Sequence, residues 1–153
     1  MYSTALILHS VIRWLVLVSL MVAAFAGYQG WKKKKTFGKA DNLLRIVTLS
    51  VTHTQLALGV ILYLTSPITG YFVKNFKEAV HIRDMRFFGM EHVTMMVIAV
   101  VLISIGSAKI KKKKEDEVKV KAMAVWFTIA LVIIFLSIPW PFSPFTSRPW
   151  VRY

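Results

Sequence analysis

The sequence predicts an all-α integral membrane protein: four transmembrane helices in an up-down-up-down bundle, with both termini outside. Three observations predict it. Four separate stretches are each long and apolar enough to cross a bilayer, which takes roughly 20 mostly apolar residues. The composition agrees, with 56% hydrophobic residues and a mean hydropathy of +0.58. Finally, much of the net charge of +13 is packed into two lysine-rich runs, "WKKKKTFGK" and "KIKKKKEDEVKVK", each beside an apolar stretch. Such clusters mark cytoplasmic loops facing anionic headgroups, so nucleic acid is not an expected partner.

The spans are expected at about 5–28, 43–65, 87–106 and 122–138, within a single membrane domain covering residues 1–153. The first has "AFA" before Gly27, which resembles a signal-peptide cleavage site. Its front carries no positive cluster and Lys32–Lys35 follow it, the reverse of a secretory signal, so it reads as a retained helix. The two lysine-rich loops fall on one side if the helices alternate, and the positive-inside rule makes that side cytoplasmic. The expected location is the bacterial inner membrane. The loop between the second and third spans is longer and mixed in charge, and its residues 72–82 suit a short amphipathic surface helix. Four prolines after Ile138 stop the last helix. Trp140, Phe142, Phe145, Trp150 and Tyr153 suit an aromatic belt at the outer interface.

With no cysteine the chain offers no disulfide, no c-type haem attachment, no thiolate metal site and no cysteine nucleophile. The chemistry must come from ionisable residues inside the spans, which are costly there and mark function by default. Three of the four histidines qualify, one in each of the first three spans: His9, His53 and His92. Arg13 and Glu91 are the other deep charges, while Arg45 and Arg86 sit at span ends where they can snorkel. At 1.5 Å per residue His9 lies roughly 6 Å and His92 roughly 8 Å from the outer ends of their helices, whereas His53 lies roughly 18 Å in. The first and third spans are diagonal in a simple bundle, so two level imidazoles face each other across the core and can clamp a flat macrocycle by bis-imidazole ligation of its iron.

Helical phase places each group on a face. A step of 100° puts His9, Arg13, Val16, Leu20, Ala23 and Gly27 on one stripe, and Gly89, His92, Met96, Ala99, Ile103 and Gly106 on another. Gly89, one turn before His92, is expected to leave room for a ring. On the second span His53 aligns with Ala57, Val60 and Leu64, while Thr48, Thr52, Gln55, Gly59 and Ser66 form a separate stripe for another helix or a second copy. Arg13 suits an ion pair with Glu91, a haem propionate or a quinone oxygen. Glu91, turned about a quarter-turn from His92, suits Arg13 or a histidine N–H. His81 is expected in the loop, solvated.

The segments "LHSVIRW" (8–14), "HTQLALGVILYLTSP" (53–67), "RFFGMEHVTMM" (86–96), "LISIG" (102–106) and "SIPWPF" (137–142) carry a resemblance. Over nearly its whole length the chain resembles small four-helix membrane proteins of Bacteroidetes-type bacteria labelled cytochrome b-like. At the first helix alone, Leu8, His9 and Trp14 are similar to small membrane protoporphyrinogen oxidases and copper-resistance membrane proteins. The resemblance implies haem and marks His9, His53, Glu91 and His92 as its positions. The expected function is a b-type cytochrome-like redox subunit holding haem b through His9 and His92, with His53 and Gln55 serving a quinone or proton path. The expected partners are membrane lipids and either a second copy or a larger respiratory-type membrane complex. Two other classes compete: a cofactor-free accessory subunit docking through the Thr48–Gly59 stripe and the aromatic tail, and a copper-handling protein using the histidines.

Overall fold

The computed structural model describes residues 2–150, and all regular structure among them is helical. The elements are α1 (Tyr2–Lys32), α2 (Lys39–Thr65), three short helices α3 (Pro67–Lys74), α4 (Phe76–Ala79) and α5 (Arg83–Arg86), a π-helical turn (Phe87–Glu91), α6 (His92–Lys112) and α7 (Asp116–Ser137). Four helices are long and apolar enough to cross a membrane: α1, α2, the run from Arg83 to Lys112, and α7. They extend past the apolar stretches because lysine is a good helix former, so the helix runs on into the charged loops.

Local chemistry sets the breaks. The turn after α1 passes through Lys34, which has a positive φ of 50°. At the start of α2 the Asp41 carboxylate accepts the Gly38 N–H at 2.9 Å and pairs with Lys35 at 3.6 Å, a favourable charge near the positive end of the helix. Ser66 caps α3 by accepting the Ile68 N–H, with Pro67 in the first turn where its missing donor costs nothing. The long connection is therefore not one surface helix over 72–82. Helix begins earlier, at Pro67, and breaks at Asn75 and again before Arg83. Thr69, Phe72 and Ala79 from this connection are buried.

The spans pack as a ring: α1 against α2 and α7, and α6 against α7 and α2, so α1 and α6 face each other across the bundle. Small residues allow the close approaches. A Cβ on Gly27 would lie 2.5 Å from the Ala124 amide nitrogen of α7, and one on Gly106 would lie 2.5 Å from the Trp126 Cβ. Val16, Leu20, Ala23, Ala99, Ile103, Phe127 and Ala130 fill the core, so the expected inward stripes of the first and third spans are the buried ones.

The second span presents the opposite face from its histidine. Thr48 and Thr52 are buried, with the Thr48 hydroxyl 3.4 Å from the Ser19 carbonyl of α1, while His53, Ala57, Val60 and Leu64 are exposed. Hydroxyl and amide groups find partners inside a bundle that lipid cannot supply, which decides the rotation of the helix. The Thr48–Thr52–Gln55–Gly59 stripe is thus used within the chain, and an accessory-subunit reading loses it as a docking face. Arg45 also turns inward: it is buried and donates to Asn42 Oδ1 and to the Ser107 hydroxyl of α6 instead of snorkelling outward.

Side chains of the two lysine-rich connections meet at one end of the bundle. The Lys119 ammonium sits 5.7 Å from the Phe37 ring, and that of Lys121 4.9 Å from Trp31. The C-terminal tail folds back on the bundle, placing Trp140 and Trp150 against Trp14 at 5.8 and 6.1 Å. Trp140 is buried and its indole donates to the Phe135 carbonyl, whereas Phe142, Phe145 and Trp150 are exposed. Tyr153, the remaining belt residue, lies outside the described residues.

Candidate functional site

A mostly apolar cavity of about 180 Å³ lies between the spans and reaches the tail. His9 and Arg13 of α1, Gln55 and Gly59 of α2, His92 of α6 and Arg148 of the tail are among its lining residues. The two histidines expected to be level on facing helices, His9 and His92, do share one space. The third does not.

His92 is oriented through its ring. Its Nδ1 lies 2.8 Å from the Ser137 carbonyl at the end of α7. A carbonyl only accepts, so Nδ1 carries the proton and Nε2 keeps a free lone pair. This is how proteins fix the tautomer of a metal-binding histidine. Phe87 and Phe88 flank the ring at 5.6 and 6.4 Å.

His9 sits opposite on α1. Its peptide carbonyl accepts the Gln55 side-chain amide at 2.9 Å, which ties α1 to α2 at this level. Its Nδ1 is buried with no hydrogen-bond partner, and so is Gln55 Oε1. Buried polar atoms are nearly always satisfied, so two orphans on one cavity wall point to a ligand. Gly59 lies against the ring: a Cβ there would be in ordinary contact with His9 Cε1 at 3.4 Å, with no space for a larger side chain.

Gly89 was expected to clear that kind of space beside His92, and the structure corrects this. A Cβ on Gly89 would lie 2.3 Å from the Phe72 ring, so the gap is already filled by the side chain that docks α3 onto the bundle. The Gly89 carbonyl also accepts the Tyr63 hydroxyl at 3.0 Å.

Glu91 is paired with Arg86, at 2.7 Å, and not with Arg13 or a histidine. The cause is the π-helical turn, in which the His92 N–H bonds back to the Phe87 carbonyl. An i→i+5 turn stacks Arg86 beneath Glu91, two positions that an α-helix would splay apart. Arg13 instead donates to the Trp150 carbonyl and lies 5.5 and 5.8 Å from the Trp14 and Trp140 rings, with its Nε buried and unpartnered.

His53 is exposed on the outer side of α2. Its Nδ1 donates to the Leu49 carbonyl at 2.8 Å, and its Nε2 is 3.3 Å from the Ser104 hydroxyl of α6. Of the methionines near His92, Met96 lines the cavity while Met90 and Met95 are exposed. His81 is exposed in the connecting loop, as expected. No three His, Cys, Asp or Glu side chains converge among the described residues, which removes the geometric basis for a three-histidine copper site.

Sequence reading missed Arg148. It lies in a tail of prolines and aromatics, where no helical period assigns it a face. No family model, curated protein or solved structure matches the chain. The site is read from its own chemistry.

Proposed function

We propose that the protein is a b-type cytochrome-like membrane protein that holds haem between His9 and His92 and takes part in electron transfer. The observation that carries this reading is the convergence of two imidazoles from facing helices on one cavity, one with its Nδ1–H fixed on the Ser137 carbonyl and the other with its Nδ1 unpartnered. The donor set suits the group: two neutral imidazoles, an apolar wall and a guanidinium at the rim. A bound haem would supply a one-electron iron couple.

The chain's own residues define the rest. Ser137 orients His92, Gln55 fixes the backbone at His9, and Gly59 packs beside the His9 ring. The cavity is smaller than the roughly 300–1,000 Å³ usual for small-molecule sites. A macrocycle therefore requires one helix to move outward. The span with least packing to hold it in place is α2, the least buried of the four, whose contact with α6 is the thinnest in the ring. In the proposed arrangement the bundle runs up-down-up-down in a bacterial inner membrane, with the lysine-rich loops cytoplasmic and the site near the outer face.

The test is the absorption spectrum of the purified protein, oxidised and dithionite-reduced, after expression with adequate haem. A Soret band that weakens in both His9→Ala and His92→Ala but persists in His53→Ala supports the reading, and the absence of any Soret band sinks it. A quinone is the second reading. It is favoured by the unpartnered Gln55 Oε1, an acceptor for a quinol hydroxyl on a largely apolar wall. Saturable quenching of the protein's tryptophans by a short-chain quinone, in a sample without a Soret band, would select it.

A further inference from the structure

The cavity has a second set of polar groups, which no helix-based reading brings together. Arg13 of α1 and Arg148 of the tail both line it, and in each the Nε is buried without a hydrogen-bond partner. Arg13 belongs to none of the ion pairs among the described residues, and its Nη2 bonds to the Trp150 carbonyl. Arg148 lies over the Phe88 ring at 5.1 Å, and its Nη2 bonds to Asp84 Oδ2 at 2.8 Å, with Thr146 donating to the other oxygen of that carboxylate. Its Nη1 donates to the Ser147 carbonyl. Asp84 thus balances Arg148, while among the described residues no carboxylate meets the charge of Arg13.

We infer that Arg13 and Arg148 form an anion-recognition pair at the tail end of the cavity, which takes the carboxylates of the ligand held between the two histidines. The inference rests on the haem reading, whose ligand carries two carboxylates on one edge of a flat ring. Each arginine is a fixed charge with a planar fork suited to carboxylate, and each has an N–H still to satisfy. Their origins differ in a useful way. Arg13 is rigid on a spanning helix, whereas Arg148 rides on the tail, and the Asp84–Thr146–Arg148 contacts pin that tail to α5. The tail then closes the site and recognises the ligand's edge at the same time.

The test compares haemin with its dimethyl ester, which keeps the ring and iron but has no carboxylates. The purified chain, expressed under haem limitation, is titrated with each in detergent and followed at the Soret band. The expected result is that haemin binds roughly tenfold or more tightly than the ester, and that Arg13→Gln and Arg148→Gln each lose most of that preference by weakening haemin alone. Equal binding of the two by the unmodified chain overturns the anion pair and leaves the haem reading standing. Binding of neither removes the haem reading and the pair with it. Should either glutamine variant fail to fold, the comparison on the unmodified chain still decides, and Arg13→Lys and Arg148→Lys, which keep the charge but lose the fork, are expected to retain part of the preference.

Discussion

His9 and Gly59 show how little room a single residue has at this site. The His9 ring already lies 3.4 Å from where a Gly59 Cβ would stand, an ordinary contact, so Gly59→Ala is expected to leave ligand binding nearly unchanged. Gly59→Val adds branched carbons that the ring must avoid. Overpacking of this kind costs about 1–3 kcal/mol, which corresponds to roughly five- to 150-fold weaker haemin binding in a Soret titration. The helical content of the variant, measured by circular dichroism, is expected to stay the same. The Arg86–Glu91 pair offers a contrast on the same scale. Its side chains are 39% and 33% exposed and neither is among the cavity's lining residues, so Glu91→Gln is expected to cost less than about 1 kcal/mol in thermal stability. It is also expected to leave any Soret band in place, whereas a lost band would return Glu91 to the ligand's own surroundings.

At the scale of elements, glycines decide which helices can touch. Gly27→Ala would put a Cβ 2.5 Å from the Ala124 backbone, and a backbone atom cannot swing aside as a side chain does. The α1–α7 contact must open, at a cost of about 1–3 kcal/mol or more, visible as a lower melting midpoint in detergent. Gly70→Ala in α3 has nothing within 4 Å and is expected to be neutral, or to gain up to about 1 kcal/mol from helix propensity. A Gly27→Ala variant as stable as the parent would mean that α1 and α7 do not pack in this way. These same elements show what the sequence reveals. The inward stripes through His9 and His92 were readable because long apolar helices hold one period for many turns. The face of α2 was open from sequence, since two stripes competed and hydrogen bonding to Ser19 and His9 chose between them. The Arg86–Glu91 pair was hidden because one π-helical turn shifts the phase locally, and residue spacing carries no mark of it. Arg148 and its contact with Asp84 were hidden for another reason: they join segments 64 residues apart through a tail with no regular period.

For the whole molecule, the decisive question is which end of the bundle faces the cytoplasm. Side chains of the two lysine-rich connections meet at one end, through Lys119 over Phe37 and Lys121 over Trp31, and the cavity reaches the C-terminal tail. If the lysine end is cytoplasmic, the site lies towards the outer leaflet and exchanges electrons or ligand on that side. The chain has no cysteine, so a single introduced thiol reports its own side without background. Thr36 and Asn75 are both exposed, Thr36 in the lysine-rich connection after α1 and Asn75 between α3 and α4. In intact cells a membrane-impermeant maleimide is expected to label Asn75→Cys at once, and Thr36→Cys only after lysis. Replacing Lys32, Lys33, Lys34 and Lys35 by asparagine removes one of the two positive clusters that set orientation, and part of the population is then expected to label at Thr36→Cys before lysis. Labelling of Thr36→Cys in intact cells of the otherwise unmodified chain would invert the molecule. The two histidines and both arginines would then serve the cytoplasmic face, and the electron or ligand partner would have to be sought there.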